Sequence, residues 1–350
     1  MYVFVHCNET NDIFSTIWLE GMQKNKIYDI ILYGKISERG IHMNSIKIVA
    51  TGMYLPKQEI DNSYFKNKFN IDDDWIYQRT GIEKRYWAKD ETTLDLAIKS
   101  VENLKKKSNF DLNQIGLIIV ASTNYENAMP SISFEIQKKF DISNCMCMDI
   151  LAGCCGYINA VDIARKYIEL DEIKYALVIG VEKLSKYLDK DDVNTAILLG
   201  DGAGATLIAK SENKKYAKNI ESIGQEGDIL TCKENEKIYM DGKKIYKYAI
   251  TKVAQNINEL LEKEKMDISQ IKYIIPHQSN LRILTSLAER IGAAKEQMYI
   301  NITNVGNIFN ASIPIALNEV VDKKLLKEND KIMIVGYGGG LNLGSILLEI

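Results

Sequence analysis

The chain has 350 residues, 46% hydrophobic and 26% charged, and a net charge of −3. That balance describes a folded protein long enough for two domains or two fused half-domains, and it gives no general pull toward nucleic acid or an anionic membrane. No stretch approaches about eighteen uninterrupted apolar residues, so nothing reads as a membrane span. Six cysteines without a secretory signal suggest reduced thiols in the cytoplasm rather than a disulfide framework.

Residues 1–42 differ from the rest: their periodicity is weak and no transit or signal pattern is present. Glu38-Arg39-Gly40 is encoded by a purine-rich run if arginine uses AGA or AGG, and only Ile41 and His42 separate it from Met43. Residues 1–42 are therefore expected to be an extension outside the native product, with the fold starting at Met43. A strand follows at Ile46–Gly52, then short helical patterns at Asn62–Phe69 and Asp73–Arg79, the second with an Asp-rich start. Thr92–Lys106 and Ser131–Phe140 read as helices, and Gly116–Ser122 and Tyr175–Gly180 as buried strands. Ala196–Gly204, AILLGDGAG, reads as a strand entering a glycine-rich turn, with Ala205–Ala209 continuing extended. These glycines match no phosphate-loop spacing. Ser211–Lys244 is polar and is the best candidate boundary between halves. Tyr246–Lys263 is an amphipathic helix, with Ile250, Val253, Ile257 and Leu260 on one face. Ile271–Ile275, Lys331–Val335 and Ser345–Ile350 read as strands, and Asn280–Ile291 and Ser312–Val321 as helices. The alternation argues α/β layers with mostly parallel pairing.

The chemistry centres on Cys145–Ile168, CMCMDILAGCCGYINAVDIARKYI. An apolar run passes through Ala-Gly-Cys-Cys-Gly-Tyr into a helix whose apolar residues recur near every 3.6 positions. Cys154 and Cys155 then sit at the helix N-terminus, where unpaired N–H groups and the dipole favour a thiolate. Burial as plain core residues is the competing reading. The Cys-x-Cys and adjacent cysteines lack the two-pair spacing of a zinc site. Of three histidines, His6 and His42 lie in the extension, which leaves His277 at the end of a strand, where α/β proteins build their sites.

PHQSNLRI around His277 resembles the histidine motif of β-ketoacyl-[acyl-carrier-protein] synthase III, a thiolase-superfamily condensing enzyme. DDWIYQRTGI, AGCCGYINA, LLGDGAGATLI, GNIFNASIPIAL and GYGGGLNLGS resemble further motifs of that family, in the same order, so that the resemblance spans nearly all of 43–350. It implies an α/β thiolase-like fold of two similar halves, 43–215 carrying the nucleophile and 216–350 carrying His and Asn. Mixed sheets would pack in an αβαβα layered sandwich. It implies a triad of Cys154, His277 and Asn307, with Cys154 rather than Cys155 as nucleophile. Cys154 would carry the acyl group, and His277 and Asn307 would stabilise the enolate of the decarboxylating malonyl unit. The oxyanion would be held by the N–H groups of Cys154 and Gly339, while Asp201 to Gly204 shape the floor beneath the site.

The resemblance further implies coenzyme A or pantetheine binding by Trp75, Arg79 and Arg282, an acyl pocket including Met129 and Phe309, and carrier-protein docking on Lys247, Arg282 and Arg290. The substrates are acyl-CoA and malonyl-[acyl-carrier protein], with no cofactor and no metal. Met129 falls where the family reaches across a homodimer. The arginine that should oppose Trp75 is replaced by Val193, which leaves open whether the primer arrives on coenzyme A or on a carrier protein. A thiolase proper would need a second catalytic cysteine, and Tyr337-Gly-Gly-Gly has none. A specialised-metabolism synthase of the same fold is the alternative. A non-catalytic relative would be expected to have lost Cys154 or His277.

Overall fold

The computed structural model describes residues 45–124, 126–212, 214–233 and 236–350, so the expected extension lies outside the described residues. Five strands form the first sheet in the order Ser45–Tyr54, Asp201–Ser211, Tyr175–Lys183, Ile115–Ala121 and Met146–Ile150. Four form the second, in the order Tyr273–Pro276, Lys331–Gly338, Asn342–Glu349 and Tyr216–Ser222. The expectation of mostly parallel pairing is corrected. Ile115–Ala121 is parallel to both neighbours, but Asp201–Ser211 runs antiparallel between its two. In the second sheet only Tyr273–Pro276 and Lys331–Gly338 are parallel. The physical reason is connection length: Lys331–Gly338 turns into Asn342–Glu349 through three residues, which permits only an antiparallel hairpin.

Two helices, Gly156–Glu169 and Ser312–Asp322, lie between the sheets. Their Ala160, Ala164, Ile313 and Leu317 share one apolar core with Leu117 and Val178 of the first sheet and Ile334 and Ile346 of the second. Helices Thr93–Ser108 and Ile132–Lys139 cover the outer face of the first sheet. Ala254–Lys263 and Leu281–Ile291 cover that of the second. The result is an αβαβα sandwich, the thiolase-like arrangement that the motifs imply.

Two local expectations change. Ala196 closes a helical turn, Val193–Ala196, whose N-cap Asp192 accepts from Asn194 N–H, and the strand starts only at Asp201. The glycines are there for close approach to the central helix, not for turning: a Cβ on Gly204 would stand 2.7 Å from Pro314 Cβ and 2.8 Å from Ile315 N. Ser211–Lys244 is also more than a boundary. Tyr216–Ser222 is an edge strand of the second sheet, and Leu230–Thr231 pairs with Tyr239–Met240 as a small flap. Edge and flap face solvent, which is why their composition is polar. The following helix begins at Gly242, before the expected Tyr246, because Asp241 caps it by accepting from Lys244 N–H; a π turn, Ala249–Val253, links it to Ala254–Lys263.

Gly204→Ala should destabilise the protein by about 1–3 kcal/mol, since neither backbone nor proline can yield to the added methyl. Gly242→Ala, with open space around its Cβ, should be nearly neutral. Urea unfolding midpoints of the two variants check this.

Candidate active site

Cys154 and Cys155 occupy the turn between the strand Met146–Ile150 and the helix Gly156–Glu169. Both are buried, but in different places. Cys155 packs in the central core between the sheets, whereas Cys154 joins the cluster of Leu184, Leu188, Ile197 and Phe309 and lines a cavity of about 940 Å³. The turn before the second sheet's last strand closes on Cys154 from the opposite side. A Cβ on Gly338 would stand 2.7 Å from its Sγ, and the backbone N–H of Gly339 lies near enough to favour the ionised sulfur.

The expected thiolate is not what the resting site holds. Burial pushes the Cys154 thiol up, the Glu182 carboxylate adds to this, and the Gly339 N–H only partly opposes it. The helix terminus supplies little because its donors are spent. Gly156 N–H donates to Gly153 O (3.2 Å) and Tyr157 N–H to Asn310 Oδ1 (3.1 Å). Burial and the neighbouring carboxylate thus favour the neutral thiol at Cys154.

His277 follows the strand Tyr273–Pro276, its N–H donating to Val335 O (2.7 Å). Its ring lies 5.5 Å from that of Tyr337 and 6.5 Å from that of Phe309. Burial pushes its pKa down to about 3, so the imidazole is neutral. Its Nδ1 is buried without a hydrogen-bond partner among the described residues. The backbone of Asn307 is clamped, its N–H donating to Leu198 O and its carbonyl accepting from Gly200 N–H, both at 2.9 Å. Its Oδ1 accepts from Phe309 N–H (3.1 Å) and its Nδ2 donates to Ser279 O (3.3 Å). The structure thus gathers Cys154, His277, Asn307, Phe309 and Gly339 around one site. Asp201 is buried, accepting from Ala88 N–H and from Ser185 N–H and Oγ–H, the latter residue lying between the cavity-lining Leu184 and Lys186.

The remaining expected residues lie further out. Trp75 and Arg79 share the helix Asp73–Thr80, with the Arg79 guanidinium stacked 3.8 Å over the Trp75 ring. Val193 is half-buried and packs, like Trp75, against the Cys154 cluster. Arg282 and Arg290 are exposed on Leu281–Ile291, and Lys247 on Gly242–Tyr248. These two helices are joined by the Tyr246 Oη–Ser286 Oγ hydrogen bond (2.8 Å). Met129 is 85% exposed and does not line its own chain's cavity, although Ala128 does. Among the described residues no group of three or more His, Cys, Asp or Glu side chains is arranged to hold a metal ion.

Sequence reasoning missed two features. The flap contributes Leu230, Cys232, Lys233, Lys237 and Ile238 to the cavity wall, and strands of two residues carry no readable period. Glu182 is fully buried and accepts from Thr123 N–H and Oγ–H, Asn124 Nδ2 and Asn310 Nδ2. A lone acid ending the apolar run YALVIGV was the available signal.

Burial pushes Glu182 up to about 7. Between its ordinary range and that value the folded state holds more protons than the unfolded one, so stability falls as pH rises through this window. Glu182→Gln should remove this slope, an effect on the order of 3 kcal/mol between pH 5 and 8. It should also speed alkylation of Cys154 by removing a neighbouring negative charge. Urea titrations and iodoacetamide kinetics at the two pH values read both effects.

Two family models match the chain: 3-oxoacyl-[acyl-carrier-protein (ACP)] synthase III over residues 148–224, and the C-terminal part of the same enzyme over residues 261–350. The chain is 38% identical over 322 residues to the β-ketoacyl-[acyl-carrier-protein] synthase III of Clostridium botulinum strain Okra / Type B1, an alignment covering 87% of this chain and 99% of that protein. The crystal structure of 3-oxoacyl-[acyl-carrier-protein] synthase III from Aquifex aeolicus VF5 superposes with a TM-score of 0.85 at 35% identity, over 87% of this chain and 100% of that one. The Thermus thermophilus enzyme gives 0.83 at 32%, over 87% and 98%. With its sandwich fold and its buried cysteine, histidine and asparagine, the chain belongs to the β-ketoacyl-[acyl-carrier-protein] synthase III family and is a condensing acyltransferase.

Proposed function

We propose that this condensing activity, which initiates fatty acid biosynthesis, joins an acyl primer delivered on coenzyme A to malonyl-[acyl-carrier protein] in two half-reactions at Cys154. The observation that carries the reading is a buried Cys154 sulfur on a cavity wall, with the Gly338–Gly339 turn packed against it. In the first half-reaction Cys154 Sγ attacks the primer thioester, and the sulfur's proton leaves with the departing coenzyme A thiol. In the second, the malonyl carboxylate leaves as CO2 and its bonding pair forms an enolate. The neutral His277 ring and the Asn307 amide donate to that oxygen. The enolate carbon then attacks the acyl-cysteine carbonyl, whose oxyanion receives the N–H groups of Cys154 and Gly339. Collapse expels the Cys154 thiolate, which takes up a proton. The chain's own side chains supply these steps without a cofactor.

Lys247, Arg282 and Arg290, exposed on two joined helices, offer a positive face to an acidic carrier protein. Trp75 and Arg79 offer a stacked surface to the adenine of coenzyme A, with Arg282 nearby for its phosphates. Homodimerisation is supported by the edge strand Met146–Ile150 at the end of the first sheet and by exposed Met129, Phe134 and Leu151 close to it in sequence. The described cysteines are free thiols, as suits a cytoplasmic enzyme. No described helix is long and apolar enough to cross a membrane.

Cys154→Ala should abolish the covalent acyl adduct seen by intact mass, while Cys155→Ala keeps it. His277→Ala and Asn307→Ala should each retain acylation but lose about 10²–10³-fold in condensation. Equal loss of both half-reactions would refute the assigned roles. Val193→Arg should lower the KM for acyl-CoA by placing a charge beside Trp75; an unchanged or raised KM would show that other residues, such as the cavity-lining Lys186, build the clamp.

A further inference from the structure

Cys154 and Phe309 line the cavity, whereas His277 and Asn307, buried to the same degree as Cys154, are not among its lining residues. Phe309 spans the two environments. Its ring meets the His277 ring edge-on at 6.5 Å and belongs to the same apolar cluster as Cys154.

The backbone holds it there at a cost. Phe309 has φ +36°, a left-handed conformation rarely adopted by a bulky residue. Both flanks are pinned. Its own N–H donates to Asn307 Oδ1 (3.1 Å), and the next residue, Asn310, is held by Tyr157 N–H (3.1 Å) and Glu182 Oε1 (2.7 Å). Ala311 N–H closes the turn on Ile308 O (2.8 Å). A buried network thus enforces a strained φ whose effect is to keep an aromatic ring in the site. Strain maintained in this way at a reaction centre calls for a functional reading.

Resting on the roles given above to Cys154, His277 and Asn307, we infer that Phe309 is a specificity-determining partition that withholds the enolate donors from malonyl thioester until Cys154 is acylated. A primer reaches Cys154 with the ring in place. The bound acyl chain then competes with the ring for the same apolar space, and the ring's displacement opens the path to His277 and Asn307. Without the partition, malonyl thioester decarboxylates unproductively: the C–C bond to the carboxylate breaks, CO2 leaves, and the enolate takes a proton from water to give an acetyl thioester.

The test uses the full chain with malonyl-[acyl-carrier protein] and no primer, measuring acetyl-carrier formation by intact mass, alongside the rate of Cys154 acylation by acyl-CoA. Phe309→Gly removes the ring and relieves the strained φ. It should raise the ratio of primer-free decarboxylation to acylation by about tenfold or more. Phe309→Leu, which keeps apolar bulk, should raise the same ratio less, and it carries the test should the glycine variant not fold. A ratio unchanged or lowered in the folded variants overturns the partition. Adding His277→Ala to Phe309→Gly should return decarboxylation to the wild-type primer-free level. A raised ratio that survives this addition would refute the role of His277 and leave the barrier at Phe309 standing.

Discussion

A helix whose N-terminus is buried must find partners for its first N–H groups inside the protein, and in this fold that requirement shapes the site. The helix Gly156–Glu169 starts between two sheets, far from water that could satisfy it. Tyr157 N–H is taken by Asn310, whose amide is in turn held by Glu182, and Glu182 also gathers Thr123 and Asn124. One buried carboxylate therefore ties the nucleophile's helix to the segment that carries Asn307 and Phe309 and to Thr123 on the cavity wall. The cost is electrostatic: its negative charge faces a thiol that must ionise.

That cost explains why the site works with neutral groups at rest. Burial holds Cys154 protonated and His277 unprotonated, so no ion pair has to be desolvated before substrate enters. In the proposed reaction charge arises only as bonds change, and the Gly339 N–H proposed to meet it is a backbone group fixed by sheet and turn. Such fixed dipoles stabilise transient charge without reorganising.

The second sheet contributes by its hairpin. Lys331–Gly338 and Asn342–Glu349 are joined by only three residues; Gly338, the last of the first strand, stands against Cys154, and Gly339 faces Leu230 of the flap. The flap, Leu230–Thr231 with Tyr239–Met240, supplies part of the wall, and the loop it encloses places Lys233 and Lys237 there. Chemistry thus comes from buried turns and substrate access from an exposed flap, a division that lets the wall vary without disturbing the reacting groups.

Much of this was legible in the chain itself. Buried strands such as GLIIVAS and YALVIG and the amphipathic helix around Ile257 follow from periodicity, a local property. The motifs around Cys154, His277 and Asn307 are short and contiguous, so the family and the fold were readable before any coordinates. Other features depend on residues distant in sequence. Glycines that look like a turn at Gly202 and Gly204 are a packing seam, because Ile315 lies against both and Pro314 against Gly204. The thiolate expected at a helix terminus gives way to a thiol, because folding buries Cys154 and sets the Glu182 carboxylate near it, while Asn310 and Gly153 take the first helix N–H groups. Glu182 reads as one acid at a strand end, and only folding surrounds it with Thr123, Asn124 and Asn310. Spacing along a chain specifies which residues share a helix face or strand; which donors are already committed, and where burial moves a proton, is decided only when distant segments pack together.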